Sequence, residues 1–177
     1  GIKFPMHIST HTKADGTKVI DIHLRVELPQ GGQDFSQWEE MLADSLNEAG
    51  LAATSEAIKA MDTRGESLQA AGRKWTSKGE FSFVAETPYG PVPFKRHVYQ
   101  TSAGGETRAP ANERAALVGS ATPRFAAMIA SKLAEMTARS AVRDLALNHR
   151  RNFSNTAAQD IALLVSAQAQ SRDTALE

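Results

Sequence analysis

Residues 19–28 alternate without a break. Ile20, Ile22, Leu24, Val26 and Leu28 fall on even positions, and Asp21, His23, Arg25 and Glu27 lie between them. A two-residue period builds a strand with one apolar face and excludes a helix over this stretch. The apolar residues just upstream, Phe4, Met6 and Ile8, are also even-numbered. A two-residue turn at Asp15-Gly16 would pair odd with even positions and put the two apolar sets on opposite faces. A three-residue loop, Ala14-Asp15-Gly16, pairs His7 with His23 and places Gly16 at the left-handed bulge position. Residues 4–28 therefore read as an antiparallel hairpin with that loop.

The period then changes. Gln30-Gly31-Gly32-Gln33 is a linker, and a helix is expected from Asp34 or Ser36, where Ser36 and Glu39 have capping-box spacing. Trp38, Leu42, Leu46 and Ala49 share its face, and Gly50 is expected to end it. A second helix is expected over 54–71, giving a helical hairpin over 34–71. Residues 73–100 return to strands, with turns at Ser77-Lys78-Gly79 and Pro88-Tyr89-Gly90-Pro91. From Ala111 onward the chain reads as helical and alanine-rich. Thr122-Pro123 opens one helix, Arg139 or Ser140 a second, and Ser154 caps a third after a polar turn over 148–153. The expected class is α+β, divided into an α+β domain over 1–110 and a helical domain over 111–177.

The formal net charge is zero, with 20 basic and 20 acidic residues. That total argues against a nucleic-acid binder, but it sums unlike parts. Residues 1–72 hold 6 basic and 11 acidic residues, a balance of −5; residues 73–114 hold 7 and 4, a balance of +3; residues 115–177 hold 7 and 5, a balance of +2. An acidic front and a basic back point to a polyanionic partner. The chain has no cysteine, which excludes a disulfide framework, a thiolate nucleophile and a cysteine-ligated zinc. No apolar run approaches the roughly 20 residues needed to cross a bilayer.

Two short helices and a polar turn before a capped third helix form a helix-turn-helix-like plan. Arg139, Arg143, Arg150 and Arg151 are placed to hold phosphates. Asn155, Thr156 and Gln159 open the third helix with side chains able to read base edges. Lys95 and Arg96 add basic residues on a strand among Trp75, Tyr89 and Tyr99, of which Trp75 and Tyr99 are expected to pack inward. A plain three-helix bundle with a solvated basic face fits the same spacing. His7, His23 and Asp21 on the outer hairpin face form a possible metal-ligand set, with an ordinary polar sheet face as its alternative. No nucleotide fingerprint, nucleophile elbow or acid–base pair is legible.

The stretch 86–99, Glu-Thr-Pro-Tyr-Gly-Pro-Val-Pro-Phe-Lys-Arg-His-Val-Tyr, resembles the T-x-[YF]-G-x-[VI]…R…Y segment in the N-terminal half of bacterial insertion-sequence transposases of the Kra type, relatives of the Lre type. The similarity continues through Thr101-Ser102-Ala103-Gly104-Gly105, Ala121-Thr122-Pro123-Arg124-Phe125, Lys132-Leu133-Ala134-Glu135-Met136, Arg143-Asp144-Leu145 and Asn148-His149. It covers roughly residues 73–170. Thr107-Arg108-Ala109-Pro110 stands where many relatives carry a Cys-Pro pair.

The resemblance implies a DDE-type recombinase whose catalytic carboxylates, with their Mg or Mn, lie in a later RNase H-like domain outside this chain. This segment would then hold no catalytic residue and no cofactor. It would recognise transposon-end double-stranded DNA and assist assembly of a homodimer, in the bacterial cytoplasm beside the nucleoid and with no membrane partner. Two alternatives stand beside it: a protein-interaction module dimerising through the acidic helices at 34–71, and a metal-dependent hydrolase using His7, His23 and Asp21.

Overall fold

A computed structural model describes residues 2–176. The fold is α+β, with two small antiparallel sheets and five helices among the described residues. The chain forms two compact units, residues 1–60 and 61–177.

The first unit holds β1 (Met6–Thr12), β2 (Lys18–Leu24) and α1 (Phe35–Lys59). Met6 pairs with Leu24, His7 with His23 and Ile8 with Ile22, so the even-numbered apolar residues share one face. Gly16 adopts φ 88°, and its N–H donates to the Lys13 carbonyl at 2.9 Å. Such a conformation suits glycine, which has no Cβ to clash. Asp34 caps α1 by accepting from the Ser36 N–H at 2.9 Å. Trp38 donates from its indole N–H to the Glu27 carbonyl at 2.7 Å and meets Phe4 edge-on at 6.2 Å. Buried Ser45 accepts from the Phe4 N–H at 2.8 Å and donates to the Met41 carbonyl at 2.7 Å. The segment entering β1 is thereby pinned to α1.

The helical hairpin expected over 34–71 is instead one helix of 25 residues. Gly50 lies inside it. A mid-helix glycine costs about 1 kcal/mol relative to alanine, a penalty that does not by itself stop a helix. Thr54, expected to open a new helix, donates its hydroxyl back to the Gly50 carbonyl at 2.7 Å, the usual use of a threonine inside a helix. The chain leaves helical geometry only after Ala60, and residues 68–70 form a strand.

The second unit begins with β3 (Leu68–Ala70), β4 (Arg73–Thr87) and β5 (Gly90–Gln100), arranged in that order as an antiparallel meander. The turn expected at Ser77-Lys78-Gly79 is a β-bulge inside a continuous β4: Ser77 pairs with Tyr99 and Glu80 with His97, one residue out of step. Buried Thr87 closes the β4–β5 turn. Its hydroxyl donates to the Gly90 carbonyl at 2.8 Å and accepts from the Tyr89 and Gly90 N–H groups. Trp75 and Tyr99 are buried, as the sequence led us to expect.

Four helices complete the unit: α2 (Pro110–Arg114), α3 (Pro123–Glu135), α4 (Ala138–His149) and α5 (Asn155–Leu176). They are tied to the meander by backbone bonds. Tyr99 and Arg108 exchange N–H···O bonds at 2.7 and 2.9 Å, and Glu86 bonds Ser120 and Thr122 at 2.7 and 2.9 Å. Thr122 takes the N-cap position with Pro123 after it, but its hydroxyl makes no capping bond. Thr137 and Ser154 do cap, accepting from the N–H groups of Ser140 and Ala157. Phe125 and Ile129, one turn apart, meet Leu145, Ala158 and Ile161 in one core, with Phe153 edge-on to Phe125 at 5.4 Å.

Leu145 is fully buried, whereas Leu147 is 71% exposed. Leu145→Ala is expected to cost about 2–5 kcal/mol. Leu147→Ala should stay within about 0.5 kcal/mol of the parent chain. Denaturant midpoints of the two variants check this.

Candidate nucleic-acid interface

The α4–turn–α5 segment carries most of the basic candidates, Arg139, Arg143, Arg150 and Arg151, followed by the polar candidates Asn155, Thr156 and Gln159. Arg139 and Arg143 are exposed and lie four residues apart on α4, hence on one face. Arg150 is exposed and ends α4 in the left-handed conformation, φ 55°. The chain therefore turns sharply, and the Arg151 N–H closes back onto the Leu145 carbonyl at 3.0 Å. Three residues later Ser154 opens α5. Asn155, Thr156 and Gln159 are exposed in its first two turns, while Ala158 and Ile161 are buried in the core. Asn155 and Gln159 share a face. Asp160 is exposed beside Gln159 and adds a negative charge there.

Two of the expected phosphate ligands serve the scaffold instead. Arg151 is 5% exposed, forms an ion pair with Glu86 on β4, and lies 5.1 Å over the Phe125 ring. Its charge is held inside the unit because the left-handed turn at Arg150 directs residue 151 back toward the core. Arg96 is half-buried. It lies 4.6 Å over Phe83, donates to Asn112 Oδ1 and donates to the Phe81 carbonyl, both at 3.1 Å. Burial lowers its pKa, and the Asp62 charge partly restores it. Lys95, the preceding residue, is exposed on the other face of β5.

Lys132 is also engaged, through an ion pair with Asp144 that joins α3 to α4. Asn148 donates to the same carboxylate at 2.6 Å, and His149 Nε2 lies 4.0 Å from it. The basic side chains exposed on α3, on α4 and at the turn after it are therefore Arg124, Arg139, Arg143 and Arg150.

The hairpin metal set does not assemble. His7 and His23 face each other across β1–β2, but the Asp21 carboxylate lies 3.2 Å from His11 Nδ1, its diagonal neighbour. Among the described residues, the group of three or more candidate ligands that does converge is Asp62, Glu80 and His97, with ligand atoms within 4.8 Å of one another. Sequence reading did not group these residues. Asp62 is in a loop, and the pairing of Glu80 with His97 depends on the bulge. Gly79, set inside an otherwise strand-like run, was the available signal for that bulge.

Comparison of the chain with protein-family models, with curated proteins and with solved structures found no match.

Arg151→Ala is expected to destabilise the chain by about 3–5 kcal/mol, because it leaves Glu86 without its partner; equilibrium denaturation measures this. The Asp144 carboxyl is held below its ordinary value of 3.8, first by the Lys132 ammonium that donates to it and then by Asn148. A depressed folded-state value means that its stabilisation is complete above the ordinary carboxylate range. It is lost as pH falls through the depressed value. Asp144→Asn should therefore destabilise at neutral pH, and its difference from the parent chain should shrink as pH falls below about 4, measured by thermal melts across pH.

Proposed function

We propose that this chain is a DNA-binding and assembly module of a DDE-type transposase, recognising transposon-end double-stranded DNA. The observation that carries the reading is the α4–turn–α5 arrangement: Arg139, Arg143 and Arg150 exposed along α4 and its end, and Asn155, Thr156 and Gln159 exposed at the start of α5. On this reading it is a helix-turn-helix-like unit. The arginines neutralise phosphates and set the position, and the first turns of α5 read base edges. Lys95 adds a further phosphate contact. Arg96 and Arg151 hold the scaffold beneath.

The resemblance of residues 73–170 to Kra-type transposases supports the same reading. It also implies that the catalytic carboxylates and their Mg or Mn belong to a further domain. The protein then acts as a homodimer at the bacterial nucleoid. No helix among the described residues is long and apolar enough to cross a membrane.

A self-association reading without DNA has its own observation. Phe35 and Leu46 on α1 are 56% and 55% exposed and lie three helical turns apart. That reading expects dimers at physiological salt and no affinity for duplex DNA, which light scattering with and without a duplex distinguishes.

Duplex affinity should fall steeply with salt, with a log–log slope of about −0.9 per phosphate contact. The triple variant Arg139→Ala, Arg143→Ala, Arg150→Ala should weaken binding to all duplexes alike and flatten that slope. Asn155→Ala or Gln159→Ala should blunt sequence discrimination by about 1–3 kcal/mol. Affinity that does not change between low and moderate salt would sink the proposal.

A further inference from the structure

Three segments of the second unit converge on His97. Its backbone N–H donates to both carboxylate oxygens of Asp62 at 3.2 Å, from the segment that precedes β3. Its Nδ1 lies 2.9 Å from Ser77 Oγ, and its Nε2 lies 3.7 Å from Glu80 Oε1. Side chains three residues apart on a regular strand point to opposite faces. The bulge in β4 cancels that parity, so Ser77 and Glu80 both approach one imidazole.

The arrangement is held on each side. The Tyr99 hydroxyl bonds Thr63 Oγ1 at 2.6 Å and donates to the Glu66 carbonyl at 2.8 Å, which fixes the segment bearing Asp62. Gly65, at φ 89°, lies against the ring. A Cβ added there would sit 2.9 Å from His97 Cε1, so only glycine lets the segment close over the imidazole.

The gap between Nε2 and Glu80 is the informative distance. At 3.7 Å it is longer than a good hydrogen bond. Two ligand atoms on a tetrahedral ion with bonds of about 2.0–2.2 Å stand about 3.4 Å apart, so a small movement of exposed Glu80 closes this gap, and the Asp62 carboxylate, in a set that spans up to 4.8 Å, must also draw inward to complete the shell. Ser77 Oγ, 2.9 Å from Nδ1, can accept from that nitrogen and so free Nε2 as a ligand; such a partner on the far nitrogen is the usual support for a metal-bound histidine. Asp62 and Glu80 bring two carboxylates to the imidazole; of the guanidinium groups nearby, Arg96 is held by Asn112 and the Phe81 carbonyl, and Arg114 donates to the Met61 carbonyl.

We propose that Asp62, Glu80 and His97 form a divalent transition-metal site of the zinc class. One imidazole nitrogen and two carboxylate oxygens match the ligands such ions take, and water completes the shell. The bound ion fastens the segment carrying Asp62 to the bulge of β4 and to β5. It stabilises the folded chain and is independent of the DNA contacts.

The test is titration of the full chain, stripped with chelator, with ZnCl2, followed by calorimetry and thermal melting. One Zn²⁺ per chain and a rise in Tm are expected. Glu80 is 56% exposed, so Glu80→Gln should keep the metal-free Tm while weakening zinc binding about tenfold or more. The double variant His7→Asn, His23→Asn should bind zinc as the parent chain does. No zinc-dependent rise in Tm, a Glu80→Gln chain that binds zinc with parental affinity, or binding lost in the His7→Asn, His23→Asn chain would each overturn the proposal.

Discussion

The guanidinium of Arg151 meets the carboxylate of Glu86 across 65 residues of chain, inside a unit made of a three-stranded meander and four helices. Both partners are largely removed from water, and the Phe125 ring lies beneath the guanidinium. Two desolvated charges persist in such a place only when each compensates the other. Glu86 also bonds Ser120 and Thr122 through its backbone, so one β4 residue holds the start of α3 by its main chain and the exit from α4 by its side chain. The position of α5 depends on that exit. Arg151 is tethered in the core, Arg150 takes the left-handed turn, and Ser154 caps the helix that begins next.

That tether explains why adjacent arginines have different fates. Arg150 and Arg151 look alike as a basic pair, and both were candidate phosphate ligands. One is exposed at the turn and the other is buried beneath it. Arg96 and Lys95 split the same way, because neighbours on a strand face opposite sides. The guanidinium of Arg96 covers Phe83 and joins β5 to α2 through Asn112. Basic residues near one another in sequence are therefore a count of charge, and only some of that charge reaches the surface.

Much of the local structure was legible in the residues. The even-numbered apolar set in 4–28 matches the pairing seen between β1 and β2, because a slip of one residue would have turned Ile20, Ile22 and Leu24 away from Met6 and Ile8. Thr122-Pro123 and Ser154 marked two helix starts within a residue. Gly50 misled, since glycine is a cost in a helix and a stop only when the residues after it favour another conformation. Ser77-Lys78-Gly79 misled in a related way: turn-forming residues also make a bulge when both flanks stay paired to the same neighbour.

The candidate sites were less legible than the elements. Asn155, Thr156 and Gln159 stand at a helix start that a capping serine announces, so their placement rested on local chemistry. Asp62, Glu80 and His97 come together only through a bulge, a strand register and a loop held by Tyr99. Periodicity and capping are short-range effects, set by each residue's own backbone and its near neighbours, and they are written along the chain. Which charge is buried, and which three distant side chains share a few ångströms, depends on long-range packing that no local pattern records. The order of strands and helices could thus be read largely from the residues in turn, while the division of the arginines between surface and core was decided by the folded chain alone.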